Sequence, residues 1–367
     1  MNVKKAIGLI LLSSFLLSCK GENGINGGET PDKEFEITIT PKDLSFEGTL
    51  STANIKVSAN DDWTITSDDS WITYNPQKGY NGETSVRIEA SSNPSKTART
   101  GILLFSIGTK TLEYKITQNA REEENYVPEG YSLVWNDEFD SGDRPGAEWS
   151  YETGGGGWGN NELQHYVNVM KDKEQLAVVK DGILSIIAKK IDGTVYSIRM
   201  NTTKSWTYGY FEARLKLPVG KGTWPAFWMM PKNFNSWPDD GEIDIMEHVG
   251  YRANWISSSV HCKAYYHSIG TQKTSEKYIS TAQSDFHVYA VEWTEDYIKG
   301  FVDGVNYFTF TNDKAGDYDT WPFFNPFYLK LNLAWGGNWG GAQGVDESLL
   351  PATYQIDYVR VFQKTEK

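Results

Sequence analysis

Apolar and polar residues alternate with a period of two along most of the chain. Between residues 35 and 120 the alternation recurs in short segments, Phe35–Ile39, Asn54–Ala59, Trp63–Thr66, Ser85–Ala90, Gly101–Ser106 and Thr111–Thr117. Turn residues part them: Asp61-Asp62, Asn75-Pro76, Lys78-Gly79 and Asn93-Pro94. Short strands at this spacing predict a small β-sandwich. Residues 121–129, opening on Arg-Glu-Glu-Glu-Asn, are charged and read as a linker. From 130 to 365 strands are predicted again, at Leu184–Ala188, Gly209–Leu217, Glu242–Glu247, Ile256–His261, His287–Trp293, Ile298–Val302, Tyr328–Leu333 and Tyr354–Gln363. No long stretch sustains a 3.6-residue period. The predicted fold class is all-β, with one large sandwich after the small one.

The segment Glu242-Ile-Asp-Ile-Met-Glu247 breaks its own pattern. Successive strand side chains point to opposite faces, so Glu242 and Asp244 share a face with Ile243 and Ile245 beneath. Glu247 lies at an odd separation from Glu242, and a regular strand would turn it into the core at high cost. One extra residue, a β-bulge near Met246, returns it to the acidic face. The sequence therefore predicts a bulge there.

Composition narrows the chemistry. Aromatic residues make up 14% of the chain, including 14 Trp. They fit both β-rich packing and a cleft that stacks rings on sugars. The net charge of −13 argues against nucleic acid and disfavours a polyanionic substrate, while a neutral polymer is indifferent to it. Trp224, Ala226 and Trp228 share strand parity, so two indoles face one way with room between them.

The chain has two cysteines, Cys19 and Cys262, and no zinc-like Cys/His spacing. Residues 1–18 have a basic start and a short apolar run, the layout of a signal peptide. Their end, Leu-Leu-Ser-Cys19, resembles the lipobox of bacterial lipoproteins and implies lipidation of Cys19. The Gly-rich stretch 19–34 reads as a tether. The expectation is an outer-membrane lipoprotein held by that anchor, at the cell surface or facing the periplasm, and monomeric.

Three acids on one strand face are either a solvated surface or a working cluster. Glycoside hydrolysis needs two carboxyl groups of unlike protonation, and retention needs them about 5–5.5 Å apart. Apolar flanks and nearby tryptophans favour the cluster.

Glu242-Ile-Asp-Ile-Met-Glu247 resembles the signature of glycoside hydrolase family 16, in the bulged form of laminarinases. Leu133–Asp140, Trp158–Gln164, Tyr208–Pro218, Gly222–Pro231 and Asp357–Phe362 resemble further family segments in the same order. The resemblance implies a concave β-jelly-roll, a retaining mechanism and no cofactor for the chemistry. It assigns Glu242 as nucleophile, Asp244 as its assistant and Glu247 as acid/base. It places Asn160, Arg199 and His261 in the cleft, where the parity of Trp224 and Trp228 makes both candidates for sugar stacking; Trp335 and Trp339, where a strand runs into a Gly-rich loop, are candidates for its rim. It implies a structural calcium at the backbone of Glu138 and Gly182 and the side chain of Asp357. The unit 35–120, with Trp63-Thr-Ile and Ser70-Trp71-Ile72, resembles a BACON domain, an immunoglobulin-like module of carbohydrate-active enzymes. Trp63 and Trp71 are either its core or a glycan platform, and the unit reads mainly as a spacer. The expected activity is an endo-β-glucanase on β-1,3- or mixed-linkage β-1,3-1,4-glucan. The rivals are another β-glycan specificity on this scaffold and a noncatalytic glucan-binding protein.

Overall fold

The computed structural model describes residues 33–365 apart from 94, 96, 123 and 124. Cys19 and the signal-peptide segment lie outside the described residues, as does most of the tether.

The first unit is a two-sheet sandwich. One sheet orders Ile37–Thr40, Ser51–Ala59, Gly82–Ala90 and Ile72–Asn75; the other orders Leu44–Phe46, Lys110–Gln118, Arg99–Ile107, Trp63–Thr66 and Lys78–Gly79. Alternate residues close its core: Val57, Val86, Ile88, Leu103, Phe105 and Ile107 are fully buried. Trp63 is buried too, lying so close over Gly79 that a Cβ there would meet the indole at 2.3 Å. Trp71 carries the Arg99 guanidinium 4.2 Å from its ring centroid. Trp63 is therefore core, and Trp71 has a cation against its ring.

The second unit is a jelly-roll of two large sheets. Its seven-stranded sheet runs, edge to edge, Trp149–Tyr151, Arg199–Thr202, Phe327–Trp335, Thr223–Pro231, Glu242–Glu247, Trp255–His261 and Lys273–Tyr278. Among the described residues helix is limited to two 3₁₀ turns, His267–Ile269 and Glu347–Leu349. Side-chain alternation along each strand fixes which residues face the core and which face the cleft. Leu329, Leu331, Leu333, Phe227, Met229 and Ile243 are fully buried. Each contributes about 1.5–3 kcal/mol by leaving water. The intervening residues, Lys330, Asn332, Trp224, Trp228, Glu242 and Asp244, line the open face. The strand register thus builds the core and a polar, aromatic cleft from the same segments.

Candidate active site

The bulge predicted from parity is present. Asp244 pairs with Trp228 and Ser259, whereas Glu247 pairs with Ala226 and Ser257. Two residues, Ile245 and Met246, therefore fill a stretch where Ser258 alone stands on the neighbouring strand. Both are fully buried, and the register shift between Asp244 and Glu247 marks them as the bulge. The consequence is chemical: Glu242, Asp244 and Glu247 all face one cleft of about 430 Å³.

Gly241 leads into this strand with φ of 90°. Gly250 follows it at a place where a Cβ would sit 1.8 Å from the Gly220 carbonyl oxygen. Both positions demand glycine.

Each outer carboxylate is oriented by an indole. Trp237 Nε1 donates to Glu242 Oε2 at 3.0 Å, and Trp224 Nε1 donates to Glu247 Oε1 at 3.0 Å. Asp244, buried between them, is hydrogen-bonded to Glu242 and lies 3.2 Å from His261 Nε2 through Oδ2. Burial, and then the Asp244 charge, push Glu242 up to about 8, against His261 and Trp237. Burial raises Asp244 and, with the Asp244 charge, Glu247. Three carboxyl groups this close cannot all be ionised at neutral pH, so protons stay in the site. An acid and a base can therefore coexist there.

To one side of the catalytic strand, Glu152 accepts from Arg199 Nε and, at 2.7 Å, from Lys330 Nζ. Burial and then Arg199 lower the Lys330 ammonium to about 7, although Glu152 opposes them. Burial alone would raise Glu152, but Arg199 and Lys330 outweigh it and hold it below the usual range. Arg199 lies 4.7 Å from the Trp158 ring centroid and 4.9 Å from that of Trp228; Lys330 is also 4.9 Å from Trp228. Trp228 donates to Asn332 Oδ1 at 2.7 Å. Its ring thus has two cations against it, a wall more than an open stacking platform.

The sequence-derived candidates divide accordingly. Asn160, Arg199, Trp224 and Trp228 line the cleft with the three acids, and His261 touches Asp244. Trp339 is half-buried and meets Trp224 edge-on at 5.5 Å. Trp335 is a correction: it is fully buried in the core, not at the rim. Its parity is that of Leu331 and Leu333, which the alternation predicts to face inward. Strand register brings the ends of Tyr131–Asp137 and Ile183–Ile191 beside the Asp357 stretch, so Glu138, Gly182 and Asp357 are near neighbours. The Asp357 carboxylate accepts from Arg214 Nη1, and the Glu138 carboxylate accepts twice from Arg360.

Sequence reasoning missed Trp237, Glu152 and Lys330. Trp237 sits on an irregular loop held by Asp240, which accepts from the Asn235 and Ser236 amides. Its signal was local: a tryptophan five residues before the first acid. Glu152 and Lys330 are 178 residues apart, and no short-range pattern connects them.

A curved β-sandwich whose cleft has a floor of three proton-sharing carboxyl groups and walls of indole rings defines a glycoside hydrolase. The model for glycosyl hydrolases family 16 matches residues 163–360, and the chain belongs to that family. Residues 36–121 match the model for the viral BACON domain. A β-glucanase of Rhodothermus marinus is 47% identical over 250 residues, covering 64% of this chain and 86% of that protein. The glucan endo-1,3-beta-glucosidase A1 of Niallia circulans is 37% identical, covering 64% of this chain and 38% of that protein. Among solved structures, the laminarinase from Rhodothermus marinus superposes with a TM-score of 0.61 at 46% identity, covering 64% of this chain and 98% of its own. Family 16 enzymes need no cofactor for their chemistry.

Proposed function

We propose that the protein is a retaining endo-β-glucanase acting on β-1,3- or mixed-linkage β-1,3-1,4-glucan. The observation that carries this reading is the bulge, which sets Glu242 and Glu247 on one cleft face with Asp244 between them. The names of the relatives supply the substrate class. In the first step the Glu242 carboxylate attacks the anomeric carbon as the glycosidic C–O bond breaks, and Glu247 gives its proton to the departing oxygen. In the second step Glu247 takes a proton from water, whose oxygen attacks the same carbon and releases Glu242. The two inversions leave the β configuration. Asp244 shares a hydrogen bond with Glu242, and its negative charge favours the protonated form of Glu247.

The test is a product profile on laminarin and barley β-glucan, with proton NMR of the first anomer released. Oligosaccharides appearing first as β-anomers are the expected result. Binding of either glucan without cleavage would instead establish the noncatalytic reading.

Calcium at the Glu138 and Gly182 carbonyls and the Asp357 carboxylate is a structural proposal, separate from the chemistry. It suits calcium's preference for oxygen donors, although Arg214 already bonds to Asp357. The expected result is a higher melting temperature in calcium than in EDTA, with kcat unchanged below the transition. Equal melting temperatures would remove the site.

A further inference from the structure

The concave face does not end at the catalytic strand. It continues across Trp255–His261 and the edge strand Lys273–Tyr278, away from Trp158 and Arg199. Trp255 and Ser257 share the parity of His261, and across the ladder Tyr278 faces Trp255 while Glu276 faces Ser257. A shallow recess here is lined by Glu247, Arg252, Trp255, Ser257, Glu276 and Trp339. The main cleft contains all three acids, whereas this recess contains Glu247 without Glu242 or Asp244.

Two exposed rings meet at its edge. Trp255 is 40% exposed and Tyr278 53% exposed, with centroids 5.7 Å apart. Arg252 lies 5.2 Å from the Trp255 ring centroid and bonds to Glu276 through Nη2 at 2.9 Å, placing polar groups beside the aromatic surface. Trp339, on the recess wall, meets Trp224 edge-on, and Trp224 donates to Glu247, so the recess adjoins the acid's own indole.

We propose that Trp255 and Tyr278 form a platform for the aglycone part of a neutral β-glucan chain, beyond the sugar that receives the proton from Glu247. The proposal rests on the reading of Glu247 as the acid/base. The nucleophile bonds to the glycone's anomeric carbon, whereas the acid protonates the oxygen that leaves with the aglycone. A recess that touches the acid and not the nucleophile belongs to the aglycone side. Flat rings with an adjacent ion pair match what a sugar offers, an apolar face with hydroxyls around it. Stacking there adds binding energy remote from the reacting bond, which helps polymers and not substrates too short to reach it.

The test is the double variant Trp255→Ala/Tyr278→Ala, assayed on laminarin, barley β-glucan and p-nitrophenyl β-laminaribioside. The nitrophenyl group ends at the first position past the scissile bond. The ratio of polymer to aryl-glycoside kcat/KM is expected to fall about tenfold, equal to about 1.4 kcal/mol of lost transition-state binding. Transfer of the laminaribiosyl group to added laminarioligosaccharide should fall with it. An unchanged ratio overturns the platform, whether both activities stay at wild type or drop together. A wild-type protein that cleaves neither polymer nor the aryl glycoside would instead sink the glucanase reading itself.

Discussion

Glu242→Gln is expected to abolish glucan hydrolysis, lowering kcat by at least about 10⁴-fold, because the amide cannot form the glycosyl ester. The same substitution is expected to make the protein melt at a higher temperature at pH 8. Glu242 is raised in the folded state, from 4.5 to about 8. The stability it contributes is fully present below about pH 4.5 and is lost as pH rises through the folded value. A glutamine carries no charge at any of these pH values, so the variant's advantage grows towards pH 8 and vanishes near pH 4. Melting curves at the two pH values, beside reducing-sugar assays, check both claims. A variant that is inactive yet melts like wild type at pH 8 would show that Glu242 is ionised there without strain. Retained hydrolysis would remove the nucleophile assignment.

The activity–stability trade expected at Glu242 has its origin in the packing around the strand. Carboxylates are costly on a partly buried face unless donors compensate. The compensation comes from one indole for each outer acid, Trp237 and Trp224, and from His261 beside Asp244. Each side chain arrives by a different route, and this decides how much could be read from the sequence. Trp224, Ala226 and Trp228 lie on one strand, so period-two alternation alone put their side chains on one face. The bulge was legible because an odd spacing of two acids conflicts with burial. His261 entered through family resemblance, since nothing in its neighbourhood separates it from a structural residue, and Trp339 through the Gly-rich loop that carries it. Trp335 was misplaced because a Gly-rich loop follows it, although its parity with Leu333 pointed inward. Glu152 and Lys330 meet only through the sheet order, in which Arg199–Thr202 lies beside Phe327–Trp335. Pairing between strands so distant in the chain is set by the whole fold, and local patterns do not encode it.

Met246→Asp and Ile245→Asp are each expected to unfold the catalytic unit, and the pair of results is specific to the bulge. In a regular strand one of two consecutive residues would face the cleft and tolerate a carboxylate beside other polar groups. Here both side chains are fully buried and belong to one core with Phe227, Ile256 and Val260. An unpaired charge at either position costs several kcal/mol, comparable with the roughly 5–15 kcal/mol that holds a domain together. The alanine variants separate packing from charge: each should lose about 2–5 kcal/mol, as large-to-small core substitutions do. Deletion of Met246 is expected to be milder than either aspartate. It restores strict alternation, Glu-Ile-Asp-Ile-Glu, and keeps the second glutamate on the cleft face, moved by about 3.3 Å along the strand. The deletion variant should therefore fold with both carboxyl groups in the cleft but altered in separation, and its kcat on laminarin should drop while its melting transition survives. Denaturation of the four substitution variants and the deletion, followed by circular dichroism, gives the ordering. A soluble, folded Met246→Asp protein with wild-type activity would place that side chain in the cleft, and Glu247 would then need another route to the face it shares with Glu242.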